Sequence, residues 1–312
     1  MNERFDTLDE LAIVLALDPL DDAALDDDDA VTLAPATLRT RVLEAARARR
    51  PAGEATGTDQ GDMTPAQAYA ASVANLDAVL ASLSDDEWFR PTGLEYGQVK
   101  DLVAHLIGVE ELMIGWLGQT AGPVLDHVAG TWTVIDELRR TAPSQLLARW
   151  RSVSQAVVEL APTVPSNQPL QLFDLPATVE GAMVIRTFEE WTHTDDVLRA
   201  VGRAPGGLDS TRARMMSAYL VAALPVALAL SDPAPTDVSV RFVLTGPGGG
   251  TYDQVFGAPA DPTPSTFVVT DVVSLCRFAA NRLHRCELVT DIDGNAAFAE
   301  RVLAVAGAFA RD

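Results

Sequence analysis

Cysteine, histidine, aromatic residues and basic charge are all scarce in this sequence, and each shortage excludes something. Two cysteines in 312 residues, Cys276 and Cys286, cannot build a disulfide framework and lack the C-x-x-C spacing of a redox or zinc motif. A reducing cytoplasm is the expected setting. Only 23 basic side chains stand against 44 acidic ones, a formal charge of −21. Such a field repels phosphate backbones and anionic lipid headgroups, so neither nucleic acid nor a membrane surface is an expected partner. Long hydrophobic runs are missing too: the longest, Tyr219 to Leu230, is interrupted by Pro225 and falls short of the roughly 20 residues of a membrane span. The segment Met1 to Asp6 carries acids where a secretory signal would be basic. What remains, 48% hydrophobic residues, is ample for a buried core, and the length suggests about two domains.

Four pieces can be distinguished. Residues 1–50 form an acidic, partly helical arm, with an apolar stretch at Leu8, Leu11, Ile13, Val14, Leu15 and Leu17, the run Asp26 to Asp29, and a basic stretch after Pro35. Residues 51–63 have the helix breakers and the aperiodic polarity of a linker. Residues 64–232 read as a helical bundle. Thr64 and Pro65 make a strong helix start, and further helices are expected at Val99 to Leu117, Trp132 to Leu160 with a break near Pro143, Val179 to Val201, and Ser210 to Leu230. Residues 233–312 change period: Val238, Val240, Phe242 and Leu244 alternate as in a strand. Gly246 to Gly250 is then a hairpin turn, since no Lys-Ser/Thr and no helix follow it as in a phosphate loop. Strands through Tyr252 to Val255 and Thr266 to Thr270 and helices at Asp271 to Leu283 and Asn295 to Arg311 complete a small α/β domain. The expected class is α+β.

Of the four histidines, His193 lies four residues after Glu189 on one helix face, close enough for both to hold one ion. By itself that spacing equally suits a surface ion pair. His105 sits in the most apolar helix, where an imidazole must find a partner. Together His105, Glu189 and His193 supply the three ligands that leave a tetrahedral metal one open position. Asp101, one turn before His105, and Asp196, nearly one turn after His193, can each accept a second ring N–H, or can be helix-surface acids. His127, beside Asp126 in a loop, reads as solvated, and His284 as structural or exposed.

The stretches Trp88 to Thr92, Val99 to Gly108 and Phe188 to Val197 resemble the mycothiol-dependent maleylpyruvate isomerase family, related to the DinB-like bundles. The resemblance runs from about Thr64 to the C-terminus. It implies a DinB-like four-helix bundle followed by a small α/β domain, with zinc or another divalent metal held by His105, Glu189 and His193 and with mycothiol as the thiol cosubstrate. Asp196 matches the acid after the second histidine. In Ser274 to Arg282 the resemblance makes Arg282 the catalytic and cofactor-binding arginine, here expected to hold a carboxylate of substrate or thiol. Three departures stand out: Tyr96 where a tryptophan is common, Asn281 where glycine precedes the arginine, and Asn295 where aspartate follows Gly294.

Two functions are compatible with these features. The first is an enzyme, a metal-dependent, mycothiol-using isomerase or S-transferase of a small electrophile. The second is a non-catalytic metal-binding regulator whose residues 1–50, loosely similar to the cytoplasmic arms of anti-sigma factors, bind a protein such as a sigma factor.

Overall fold

The structure, a computed structural model, describes residues 63–118, 127–172, 175–231 and 237–307. The expected N-terminal arm, nearly all of the expected linker, and the last residues of the expected final helix lie outside these. The described residues all belong to one compact unit.

Among the described residues, six α-helices precede the four-stranded sheet. In the first, α1 (Pro65–Ala81), Thr64 Oγ1 accepts from Gln67 N–H while the Gln67 side chain accepts from Thr64 N–H, a reciprocal cap that satisfies two otherwise orphaned donors. Helix α2 (Val99–Leu117) is buried on several sides. Next come α3 (His127–Leu138) and α4 (Pro143–Leu160), separated before Pro143, which takes the first turn of α4, where a proline costs no hydrogen bond. A short antiparallel hairpin, β1 (Pro169–Leu172) and β2 (Leu175–Thr178), leads into α5 (Val179–Ala200). Helix α1 packs along α5, and α2 packs along α3 and α4.

Two apolar clusters lie along this bundle. One gathers Leu76, Leu80, Val99, Leu102, Leu106, Trp150 and Val197. The other gathers Tyr69, Met113, Trp116, Val157, Ala182 and Met183. Between them both central helices become polar inside: His105 and Glu110 on α2, Arg186, Glu190 and His193 on α5, all buried. That layer holds the candidate site.

The C-terminal part is a four-stranded sheet in the order β4-β3-β5-β6, with β3 (Val238–Thr245) parallel to β5 (Thr266–Asp271) and antiparallel to β4 (Gly250–Phe256), and with β6 (Thr290–Asp293) antiparallel to β5. Helices α6 (Ser210–Ser231), α7 (Val272–Ala279) and α8 (Ala296–Ala306) supply the rest of its core. Helix α6, expected from sequence to join the bundle, contributes Leu220, Val221, Leu224 and Leu228 to the core under the sheet. By length and composition α6 could cross a membrane; one side of it is committed to the sheet. Helix α7 is shorter than expected and stops at Ala279, because Asn281 takes a left-handed backbone, φ 56°.

Candidate metal centre

His105 and His193 come from α2 and α5, and their ring centroids lie 5.6 Å apart at 80°. Glu189, one turn before His193, puts Oε1 3.3 Å from His105 Nε2 and 4.0 Å from His193 Nε2. One ligand atom from each of the three lies within 4.8 Å of the others. Ligands about 2.0–2.2 Å from a tetrahedral zinc stand roughly 3.3–3.5 Å from one another, so side-chain adjustments alone would close the set on an ion.

Each imidazole is fixed from behind. His105 Nδ1 is 2.8 Å from Thr131 Oγ1 on α3, and His193 Nδ1 is 3.0 Å from Asp196 Oδ2. With Nδ1–H donating in both cases, both Nε2 lone pairs face Glu189, the arrangement expected of metal-bound histidines. Tyr96 stacks on His105 at 4.2 Å between centroids and 23° between planes, so the departure noted at this position contributes a ring that packs directly on the cluster. The histidines are 1% exposed and the Glu189 side chain 16%, so the cluster meets solvent on the glutamate side. A cleft of about 290 Å³ between α1, α5 and the start of α6, lined by Trp191, Thr194 and Arg212, contains none of the three.

Asp101 takes a different place from the one expected. Its carboxylate accepts from Gln98 N–H (3.2 Å) and caps α2, because a residue in the first helical turn faces unsatisfied backbone donors. Thr131 takes the position behind His105. Close approach of α3 to α2 makes this possible: a Cβ on Gly108, one turn beyond His105, would stand 2.9 Å from Thr131 Cγ2.

Arg282 also differs from expectation. Its Nε and Nη2 donate to Asp196 Oδ1 and Oδ2 at 2.8 and 2.9 Å, and Nη1 donates to Ala280 O. With a side chain only 6% exposed, it braces Asp196, which in turn holds His193; its fork is spent on the protein's own carboxylate. Burial pushes the Asp196 carboxyl up, but the bonds from His193 and Arg282 outweigh it and hold the group at about 2. Beside it Arg277 donates to Asp195 (3.1 Å), a second contact between the sheet region and α5.

Sequence reasoning passed over Arg186. Its guanidinium is 2% exposed; Nη1 donates to Glu189 Oε2, and Nη2 to Glu110 Oε1 and Glu190 Oε1, both at 2.6 Å. Burial foremost, aided by the neighbouring Glu110, raises Glu190 well above the usual carboxylate range despite Arg186. The signal was the spacing of Arg186, Glu189 and Glu190 on one helix face. Of the other histidines, His127 opens α3 and His284 is exposed in the turn after α7. Both cysteines are free, Cys276 buried and Cys286 exposed.

Known proteins resemble this chain in sequence and in fold. Residues 69–198 match the model of the mycothiol maleylpyruvate isomerase N-terminal domain. Two uncharacterised Mycobacterium tuberculosis proteins, from two strains, are each 26% identical over 250 residues, covering 76% of this chain and 91% of the relative. Crystal structures of the mycothiol-dependent maleylpyruvate isomerase and of a mutant of it share the fold, with TM-scores of 0.52 and 0.51 at 12% and 11% identity, over 73% of this chain and 91% of theirs. The similarity to the mycothiol maleylpyruvate isomerase N-terminal domain thus lies in residues 69–198, the part of the chain that carries His105, Glu189 and His193.

Proposed function

We propose that this chain is a metal-dependent, mycothiol-using isomerase or S-transferase acting on a small electrophilic substrate. The observation that carries the reading is the His105, Glu189 and His193 cluster with both Nδ1 atoms tied back, in the stretch that matches the mycothiol maleylpyruvate isomerase N-terminal domain. Two neutral imidazoles and one carboxylate oxygen suit zinc, though other divalent ions accept the same set. A divalent ion held there would supply Lewis-acid activation of a bound thiol, favouring the thiolate near neutral pH.

The chain's own residues have separate tasks. Asp196, ionised and clamped by Arg282, keeps His193 in the tautomer with Nε2 available. Thr131 does the same for His105, and Tyr96 restrains its ring plane. The apolar clusters on either side exclude water, leaving approach on the Glu189 side. In this reading the nucleophilic sulfur belongs to the bound thiol, not to buried Cys276. Burial pushes the Cys276 thiol up to about 12, so it stays protonated and unreactive. A thiolate that adds to an alkene conjugated with a carbonyl gives an enolate with a single bond free to rotate; departure of the thiolate returns the isomerised alkene, and its retention, with a proton taken from solvent at the carbon next to the carbonyl, is S-transfer.

Elemental analysis of the purified protein and of His193→Ala tests the metal, and mycothiol with maleylpyruvate is the first substrate pair to assay. One equivalent of metal in the parent, little in the variant, and thiol-dependent turnover are expected. No metal in the parent after reconstitution with zinc would overturn the reading.

A further inference from the structure

We infer that Arg186 is a positioning residue for the metal-binding carboxylate, holding Glu189 by its rear oxygen so that it binds the ion through Oε1 alone and leaves a coordination position open. The inference rests on the reading that His105, Glu189 and His193 hold a metal. It adds a residue that no ligand count would find.

One guanidinium and two further carboxyl groups, Arg186, Glu110 and Glu190, are 2%, 0% and 0% exposed. Groups of this kind replaced by well-packed apolar residues commonly leave a protein equally or more stable, so bundle stability gives little reason to keep them. Their geometry gives a better one. Arg186 Nη1 reaches Glu189 Oε2, while Nη2 is anchored between Glu110 Oε1 and Glu190 Oε1, 2.6 Å from each. Glu110 comes from α2, the helix that carries His105, and Glu190 from α5, the helix that carries His193. The guanidinium is therefore fixed to both helices of the cluster before it touches Glu189.

The consequence lies in the division of Glu189. Oε2 faces Arg186, and Oε1 faces both imidazoles at 3.3 and 4.0 Å. A carboxylate with one oxygen drawn toward a buried guanidinium favours binding an ion through the other, because turning both oxygens onto the ion weakens that bond. A lysine ammonium in the same place lacks the planar fork that serves the anchoring carboxyls and Glu189 together. Partners behind a metal ligand typically alter affinity by roughly 10- to 100-fold when removed.

Cobalt(II) is the probe, because its visible absorption is strong in four-coordinate sites and weak when coordination expands. Three full-length proteins are compared: the parent, Arg186→Lys, and the triple variant Arg186→Met, Glu110→Gln, Glu190→Gln, which removes the two anchoring carboxyls together with the guanidinium and leaves Glu189 as the one carboxyl of the four groups. Folding is checked by far-ultraviolet circular dichroism. The parent is expected to show the strong band. The triple variant is expected to fold, to bind cobalt roughly 10- to 100-fold more weakly, and to lose band intensity as both Glu189 oxygens bind; Arg186→Lys should fall between. A folded triple variant with the parent's affinity and spectrum would overturn the inference and leave the metal reading standing. Should the variants unfold, the parent decides: a weak, expanded-coordination band means that Glu189 binds through both oxygens in spite of Arg186, which overturns the inference. Absence of cobalt binding by the parent would overturn the metal reading itself.

Discussion

The middle layer of the bundle and the core beneath the C-terminal sheet are equally closed to water, yet they are made of opposite materials. Phe242, Val268, Leu275, Phe298 and Val302 fill the second with hydrocarbon, each at most 2% exposed. His105, Glu110, Arg186, Glu190, His193 and Asp196 fill the first with ionisable groups, none more than 3% exposed. Burying hydrocarbon stabilises a fold at about 25 cal/mol per Å², whereas burying ions costs desolvation that pairing offsets only in part. The contrast separates tasks: the sheet region is scaffold, and the polar layer is where chemistry is held. Two arginines, Arg277 and Arg282, cross from scaffold to layer and pair with Asp195 and Asp196.

Substitution should break the two regions in different ways. Phe298→Ala removes an aromatic ring that meets Phe256 edge-on at 5.2 Å and should cost about 3–5 kcal/mol in denaturant unfolding. Under native conditions its metal stoichiometry should equal the parent's. His193→Ala should do the reverse, losing the metal with a smaller change in the metal-free unfolding midpoint. Equal loss of metal in both variants would mean that layer and scaffold are one cooperative device.

Arg282 sharpens the comparison because it belongs to both regions. Arg282→Ala leaves Asp196 buried without its guanidinium and should cost about 3 kcal/mol, with metal affinity falling roughly 10- to 100-fold through His193. Arg282→Lys keeps the charge but reaches only one carboxylate oxygen at a time, so isothermal titration with zinc should place it between. Loss of stability with unchanged zinc affinity would show that Asp196 does not need the arginine to hold His193.

The same contrast explains what could be read from sequence. Helices with strong punctuation were legible: Thr64 and Pro65 mark one start, and Val99 to Leu117 has the observed bounds. The alternation of Val238, Val240, Phe242 and Leu244 marked a strand, although the opposite face is partly buried too, at Ser239 and Val243. The hairpin β1–β2 and the edge strand β6 were not legible, since four-residue strands are too short for a period to register. At the centre, His105, Glu189 and His193 stood out because imidazole is rare in this chain and an ion needs it. Arg186 did not, because Arg, Glu and Glu on one helix face read as a solvated ion pair until α2 is seen to cover them. Thr131 escaped for another reason: its contact with His105 spans 26 residues, and no local pattern encodes the approach of α3.

That approach yields a prediction whose sign is informative. Alanine exceeds glycine in helix propensity by about 1 kcal/mol, so Gly108→Ala ought to stabilise an ordinary helix. Here the new methyl would press on Thr131 Cγ2 at 2.9 Å and on Val134 Cγ2 at 3.3 Å, forcing α3 outward. A net loss of about 1–2 kcal/mol in thermal unfolding is expected, with weaker metal binding as Thr131 leaves His105. Stabilisation with unaltered binding would show that α3 adjusts without moving its hydroxyl.

The smallest effect is expected at Asn281, where the scaffold turns to deliver Arg282. Its φ of 56° makes it the one non-glycine residue with a left-handed backbone among those described, a conformation asparagine tolerates and most residues do not. The turn closes α7 through Arg282 N–H to Arg277 O at 2.8 Å and aims the next side chain at Asp196. Because Asn281 is exposed, substitution there tests backbone shape with little change in packing. Asn281→Gly should shift stability by less than about 0.5 kcal/mol and leave zinc affinity unchanged, since glycine adopts the same φ without a Cβ clash. Asn281→Val should cost about 1–2 kcal/mol, and zinc affinity should fall with it if the turn is what presents Arg282. A valine variant that loses stability but keeps affinity would mean that the pair with Asp196 holds Arg282 in place even when the turn does not.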